Sequence, residues 1–245
     1  MSIVELCSKD AFVRAEKVDH SHFEVPLRQP LHNVYAMQLL SAIVPFSWYV
    51  INETNNTFVC VFAGGVDTTV TIPEGTYSSS QLAQALTTAM VHGTNSVTVT
   101  YDGITDKFTF AAGSAITIKV ADMVASLKKV LGLDYQTNQT GTSVQSNAVP
   151  QVTGGDVITL NFDNIQIDTQ NSSKQSNSIV IPLNANYHGM IEFDNNSRDE
   201  LIHFTSAFTI HSLKVRLTYF GNESLGGSRN TRGAPVYPKI KFFIR

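Results

Sequence analysis

A pattern of apolar-rich runs of strand length marks the first third of the chain, as expected of strands with one wet face. Residues 23–27, 36–44 and 57–62 carry it, separated by Arg28-Gln29-Pro30 and by Asn52-Glu53-Thr54-Asn55-Asn56. Gly64-Gly65 then reverses the chain into residues 67–72, whose β-branched alternation suits a half-buried hairpin strand. These runs predict a β-meander.

The period changes after Ile72-Pro73-Glu74-Gly75-Thr76-Tyr77. Ser78 stands three residues before Gln81, the spacing of a reciprocal capping box, and Tyr77 precedes the cap where it can staple onto Leu82. Leu82, Ala85, Leu86, Ala89 and Met90 follow on one helical stripe, with Gly93 placed to end a helix of about four turns. Two strands, 96–101 and 107–110, are joined through an Asp102-Gly103 turn, and 116–118 adds a third. A second helix is expected over 121–131, with Met123, Val124, Leu127, Val130 and Leu131 inward, Lys128 and Lys129 in its last turn and Gly132 beyond.

Residues 136–155 hold no charge and few apolar side chains, which reads as a linker loop. Strands resume over 156–162, 165–167, 178–183, 189–193, 209–217 and 240–244. Early and late strands together suit two packed antiparallel sheets. The expected fold is therefore mainly β: a jelly-roll antiparallel β-sandwich with an inserted helix–hairpin–helix (α+β) module. Its divisions are residues 1–71 for the N-terminal strands, 72–135 for the module, 136–155 for the linker and 156–245 for the strands that complete the roll.

Composition narrows the function. Charged residues make up 15% of the 245, against about 25% in an average soluble domain, so long-range electrostatic steering is weak. Basic residues gather after Leu201, where Lys214, Arg216, Arg229, Arg232, Lys239, Lys241 and Arg245 face Glu223 alone. In strands, Lys214 with Arg216 and Lys239 with Lys241 would each share a face, marking wet sheet surfaces. Met1 to Asp10 lack a basic start and a following apolar run, so no signal peptide is expected. The stretch 36–51 is too interrupted to span a bilayer. Cys7 and Cys60 are expected as reduced thiols.

The chain resembles the jelly-roll minor capsid and penton-type proteins of large icosahedral double-stranded DNA viruses and their virophages. The resemblance rests on Phe23-Glu24-Val25-Pro26-Leu27-Arg28-Gln29-Pro30-Leu31, the run 40–52, Asn55-Asn56-Thr57-Phe58, and above all Ile72-Pro73-Glu74-Gly75-Thr76-Tyr77 with Leu82 and Leu86. Val130-Leu131-Gly132-Leu133 and residues 213–222 complete it. It implies a non-enzymatic virion protein, made in the host cytoplasm, that caps vertices or cements major capsid capsomers. The implied partners are the major capsid protein, other minor capsid proteins and further copies of the chain, as a pentamer at a vertex. Neither specific nucleic acid nor membrane insertion is implied. A jelly-roll glycan-binding attachment module is the alternative.

Reactive chemistry finds little support. His20 and His22 with Asp19 have ligand-like spacing, yet a polar loop is the better reading, since no CxxC or HExxH element accompanies them. Asp194, Asp199 and Glu200 lack EF-hand spacing. No Gly-x-Ser-x-Gly elbow occurs, and no cofactor is expected. Candidate contact residues are Phe12 and Val13 in an arm that is either strand-donating or a local edge, Trp48 and Tyr49 as exposed aromatics, and Arg229 and Arg232 in a loop that either orders on an acidic neighbour or moves freely.

Overall fold

The computed structural model describes residues 2–10, 22–165, 178–187, 189–195, 202–219, 223–224 and 238–244. Along the chain lie β1 (Ser2–Cys7), a 3₁₀ turn (Ser8–Asp10), β2 (His22–Pro45), β3 (Thr57–Val61), β4 (Asp67–Thr71), α1 (Ser79–Ala89), β5 (Val91–His92), β6 (Asn95–Asp102) and β7 (Lys107–Ile118). After them come α2 (Ala125–Leu131), β8 (Gln139–Gln145), β9 (Val157–Phe162), β10 (Ser178–Pro182), β11 (Met190–Asp194), β12 (Ile202–Tyr219), β13 (Glu223–Ser224) and β14 (Lys239–Ile244). Two compact units form, Met1–Trp48 with Asp156–Arg245, and Tyr49–Gly155.

The first unit is a jelly roll, and its pairing shows why. β2 is long enough to serve two layers: residues 22–26 pair with residues 212–216 of β12, whereas residues 37–45 pair with β14 on one edge and β11 on the other. The antiparallel pairs are then nested like one long hairpin: β1 with β14, early β2 with β12, late β2 with β11, and β9 with β10. Rolling that hairpin up gives the layers β1–β14–late β2–β11 and early β2–β12–β9–β10. Phe162 on β9 and Phe242 on β14 stand three strand spacings apart, roughly 14 Å on a flat sheet. Their ring centroids lie 5.3 Å apart, edge to face, so the layers close on one another. Leu6, Leu39, Val44, Leu160, Leu213, Val215 and Ile240 fill the space between.

The crossing between layers occurs where Arg28-Gln29-Pro30 predicts a turn. The chain bulges instead: Ile210 pairs with Leu31 and Ser212 with Pro26, leaving residues 27–30 as extra length on one strand. Pro26 precedes this excess and Pro30 is its last residue, a place where prolines are tolerated in a sheet. Asn33 adopts a positive φ of 57° just beyond.

The inserted unit begins earlier than its expected residue 72. β3 and β4, assigned by the sequence pattern to the roll, pair with each other, and β3 pairs with the end of β7. The order is β4–β3–β7–β6–β5, with β8 on the other edge of β7. Strand 116–118 is the continuation of β7, which runs unbroken from Lys107.

α1 carries the expected capping box: the Gln81 amide donates to Ser78 Oγ at 3.3 Å and the Ser78 amide to Gln81 Oε1 at 2.9 Å. It ends at Ala89, short of Gly93, which turns the chain between β5 and β6 with φ 60°. α2 starts at Ala125 because Val120–Met123 form a turn of their own, leaving Val124 exposed as the N-cap. Gly132 caps it in the left-handed conformation, φ 65° and ψ 26°.

The stretch 136–155 is structured. β8 pairs along β7, Asn147 and Ala148 donate to Gly132 O, and Asn147 exchanges side-chain hydrogen bonds with the Asp134 backbone at 2.8 and 3.0 Å. A Cβ at Gly132 would stand 2.4 Å from Ala148 O, so only glycine admits this return.

Candidate interaction surfaces

Strand ends meet at one end of the jelly roll. Ser8 N donates to Pro238 O at 3.1 Å, Phe46 N to Gly189 O at 2.9 Å and Leu183 N to Asp156 O at 2.8 Å, tying the strand ends together there. The connections containing Phe12 with Val13, and Arg229 with Arg232, depart from Ser8 and arrive at Pro238. Those four side chains themselves lie outside the described residues.

Trp48 belongs to the interior and not to the surface. It is 6% exposed, its ring centroid 4.5 Å from that of Phe46, which meets Tyr187 edge to face at 5.7 Å. Tyr49 is half-buried where the second unit starts. Trp48 is therefore not the exposed aromatic expected of it, and the Phe46 ring it packs on is itself met by Tyr187 from a distant part of the chain.

The outer face of the β2–β12–β9–β10 layer is charged at its centre. Asp163 pairs with His22 Nε2 at 3.0 Å and with Arg216 Nη2 at 3.0 Å, while Lys214 Nζ lies 3.8 Å from Glu24, whose other oxygen accepts from Ser212 Oγ at 2.6 Å. Register brings these groups together: Arg216 stands opposite His22 and Lys214 opposite Glu24. The expected shared face of Lys214 and Arg216 is thus a paired one. Lys239 and Lys241 are likewise both exposed on β14, with Glu5 of β1 opposite Lys241.

Toward β10 the same face becomes apolar. Val157 stands opposite Pro182 and Val180 opposite Thr159, all three apolar residues exposed, Val180 by 54%. β10 ends its layer, and no described strand pairs with its outer edge. β1 ends the other layer and carries Ile3, 62% exposed. An edge strand with apolar outward side chains offers both backbone pairing and desolvation to a neighbour.

His22 is committed to Asp163, and His20 lies outside the described residues, as do Asp199 and Glu200. Among the described residues no three His, Cys, Asp or Glu side chains gather as a metal site. Asn52 and Asn55 are buried in a tight turn. No helix among the described residues is long and apolar enough to cross a membrane.

Comparison with known proteins gives a family and a fold likeness. A model described as a family of unknown function, DUF5901, matches residues 17–237. No protein of curated function matches the sequence. Among solved structures, the chain is similar to the crystal structure of the mavirus penton protein, with TM-score 0.46 and 7% identity over 99% of both chains. It is also similar to a chain of the 3.5 Å cryo-EM structure of the Sputnik virophage, with TM-score 0.42, 14% identity, 98% of this chain and 97% of that one.

Proposed function

The chain belongs to the family of unknown function DUF5901, and for it we propose a structural role in a virion. In this reading it is a minor capsid or penton protein that caps vertices or cements major capsid capsomers through protein contacts, with no catalytic activity of its own. The observation that supports the proposal is the nested four-pair jelly roll, whose edge strands β1 and β10 expose Ile3 and Val180. Symmetric contacts through such edges would build closed rings. Fold alone does not assign function, and the sequence motifs that resemble capsid and penton proteins are its second support.

Its partners are the major capsid protein, other minor capsid proteins and further copies of the chain, as a pentamer where the position is a vertex. Contacts run through the β1 and β10 edges and through the connections bearing Phe12, Val13, Arg229 and Arg232. Synthesis in the host cytoplasm and incorporation into the shell follow, without specific nucleic-acid binding or membrane insertion.

The test is composition and mass. Purified particles digested and sequenced should contain this chain at a fixed ratio to the major capsid protein, and light scattering of the purified chain should give a defined oligomer. A chain that stays monomeric and is absent from particles would refute the role.

A further inference from the structure

The exposed face of α1 is unusual for a surface helix: from Ser79 to Ala89 it contains no charged residue. Residues 81, 84, 85 and 88 follow the spacing of one helical stripe. With Thr76 and Tyr77 they line a shallow, widely open groove of about 390 Å³ that presents amides, hydroxyls, one small apolar residue and one aromatic ring.

The groove's groups are held in place from behind. The Tyr77 hydroxyl donates to Pro73 O at 2.5 Å, and its ring passes so close to Gly75 that a Cβ there would lie 3.3 Å away. Burial pushes the Tyr77 phenol up from its ordinary range, keeping it neutral. Gln81 gives Oε1 to the helix cap, which fixes its amide and leaves Nε2 as a donor. Thr88 Oγ1 donates to Gln84 O at 3.0 Å and retains acceptor capacity. The Gln84 side chain makes no hydrogen bond among the described residues. Ala85 keeps the floor low between them.

We propose that this groove is a binding subsite for an uncharged pyranose, the terminal sugar of a neutral glycan. A sugar ring presents C–H faces that pack on an immobilised aromatic ring and hydroxyls that pair with amides acting as donor and acceptor at once. The lack of any ionic group in the wall leaves nothing to compensate a desolvated carboxylate or phosphate, so acidic sugars are disfavoured. The site adds an attachment function to the inserted unit and does not depend on the virion role of the jelly roll.

The experiment is saturation-transfer NMR of the full-length chain with a panel of neutral oligosaccharides ending in galactose, glucose, mannose or N-acetylhexosamine, beside sialylated and sulfated counterparts. A neutral member should give transfer, and its affinity should fall about fivefold to tenfold in Gln84→Ala, which removes one side-chain donor and acceptor. Because alanine favours the helix, that variant keeps its fold. Tyr77→Ala should abolish transfer, with the circular dichroism of Gln84→Ala and wild type superimposing. Absence of transfer from every neutral sugar, transfer from acidic members alone, or binding that survives Gln84→Ala unchanged would each overturn the assignment. Particle incorporation is measured separately, so failure here leaves that reading intact.

Discussion

Asn55 is fully buried and settles three backbone groups at the start of the inserted unit. Its Oδ1 accepts from Asn52 N at 2.8 Å, its Nδ2 donates to Val50 O at 2.9 Å, and its own amide donates to Asn52 O at 3.0 Å. Truncation to alanine strands a buried amide and a buried carbonyl, each costing about 1–3 kcal/mol. Asn55→Ala is therefore expected to destabilise the unit by at least 2 kcal/mol in that range, read as a lower urea midpoint with an unchanged slope. Cys60 reports the same unit from its core. Burial raises its thiol from 9.0 to about 11. A raised folded value means that its contribution is complete below pH 9 and is lost as pH climbs toward 11, a swing on the order of 3 kcal/mol. Iodoacetamide at neutral pH is expected to modify half-buried Cys7 and to leave Cys60 intact until the unit unfolds, as peptide mass mapping would reveal.

Elements formed by neighbours in sequence were legible, and those formed by distant partners were not. Ser78 with Gln81, Asp102-Gly103 and Gly132 specify local backbone geometry through their own side chains or their lack of one, and the capping box, hairpin turn and left-handed cap all occur where the residues announce them. A period of two states which side chains face inward but not which strand lies alongside. β3 and β4 satisfy the jelly roll's pattern equally well, yet pair in the other sheet. β8 escaped notice because backbone hydrogen bonds leave no trace in a run such as Thr140-Gly141-Thr142-Ser143, where Val144 alone is buried. Trp48 failed in the opposite sense: expected as exposed, it is buried against Phe46, a ring that Tyr187 in turn meets from far along the chain. The layer closure rests on one such distant meeting, Phe162 against Phe242. Phe242→Ala is expected to cost about 3–5 kcal/mol and to lower the jelly roll's thermal transition. Hydrogen exchange should accelerate at β9, β14 and late β2 while β6 and β7 keep their protection.

At the scale of the whole chain, the inserted unit has what an autonomous domain requires. It owns a core that includes Phe58, Phe108, Phe110, Leu82, Leu86 and Leu127, all buried. Its two helices are capped by its own residues, and its first strand-like segment is closed by the reciprocal Ile51–Gly75 bridge at 3.0 and 2.9 Å. The C-terminal return is bolted to α2, where Gln151 N donates to Lys129 O at 2.9 Å, so the ends are fixed from within. Terminal segments tied down in this way resist fraying, and domain insertion succeeds where an insert folds without its host. Residues 49–155 expressed alone are expected to give a dispersed amide spectrum and one cooperative unfolding transition, the same transition that survives Phe242→Ala in the full chain. A broad, non-cooperative melt of the excised segment would mean that the jelly roll templates its guest. With autonomy, the division of labour is physical: the roll is free to specialise in edge contacts while the insert varies its exposed grooves and turns, such as the tip that leaves Ile104 95% exposed, without disturbing the strand register beneath.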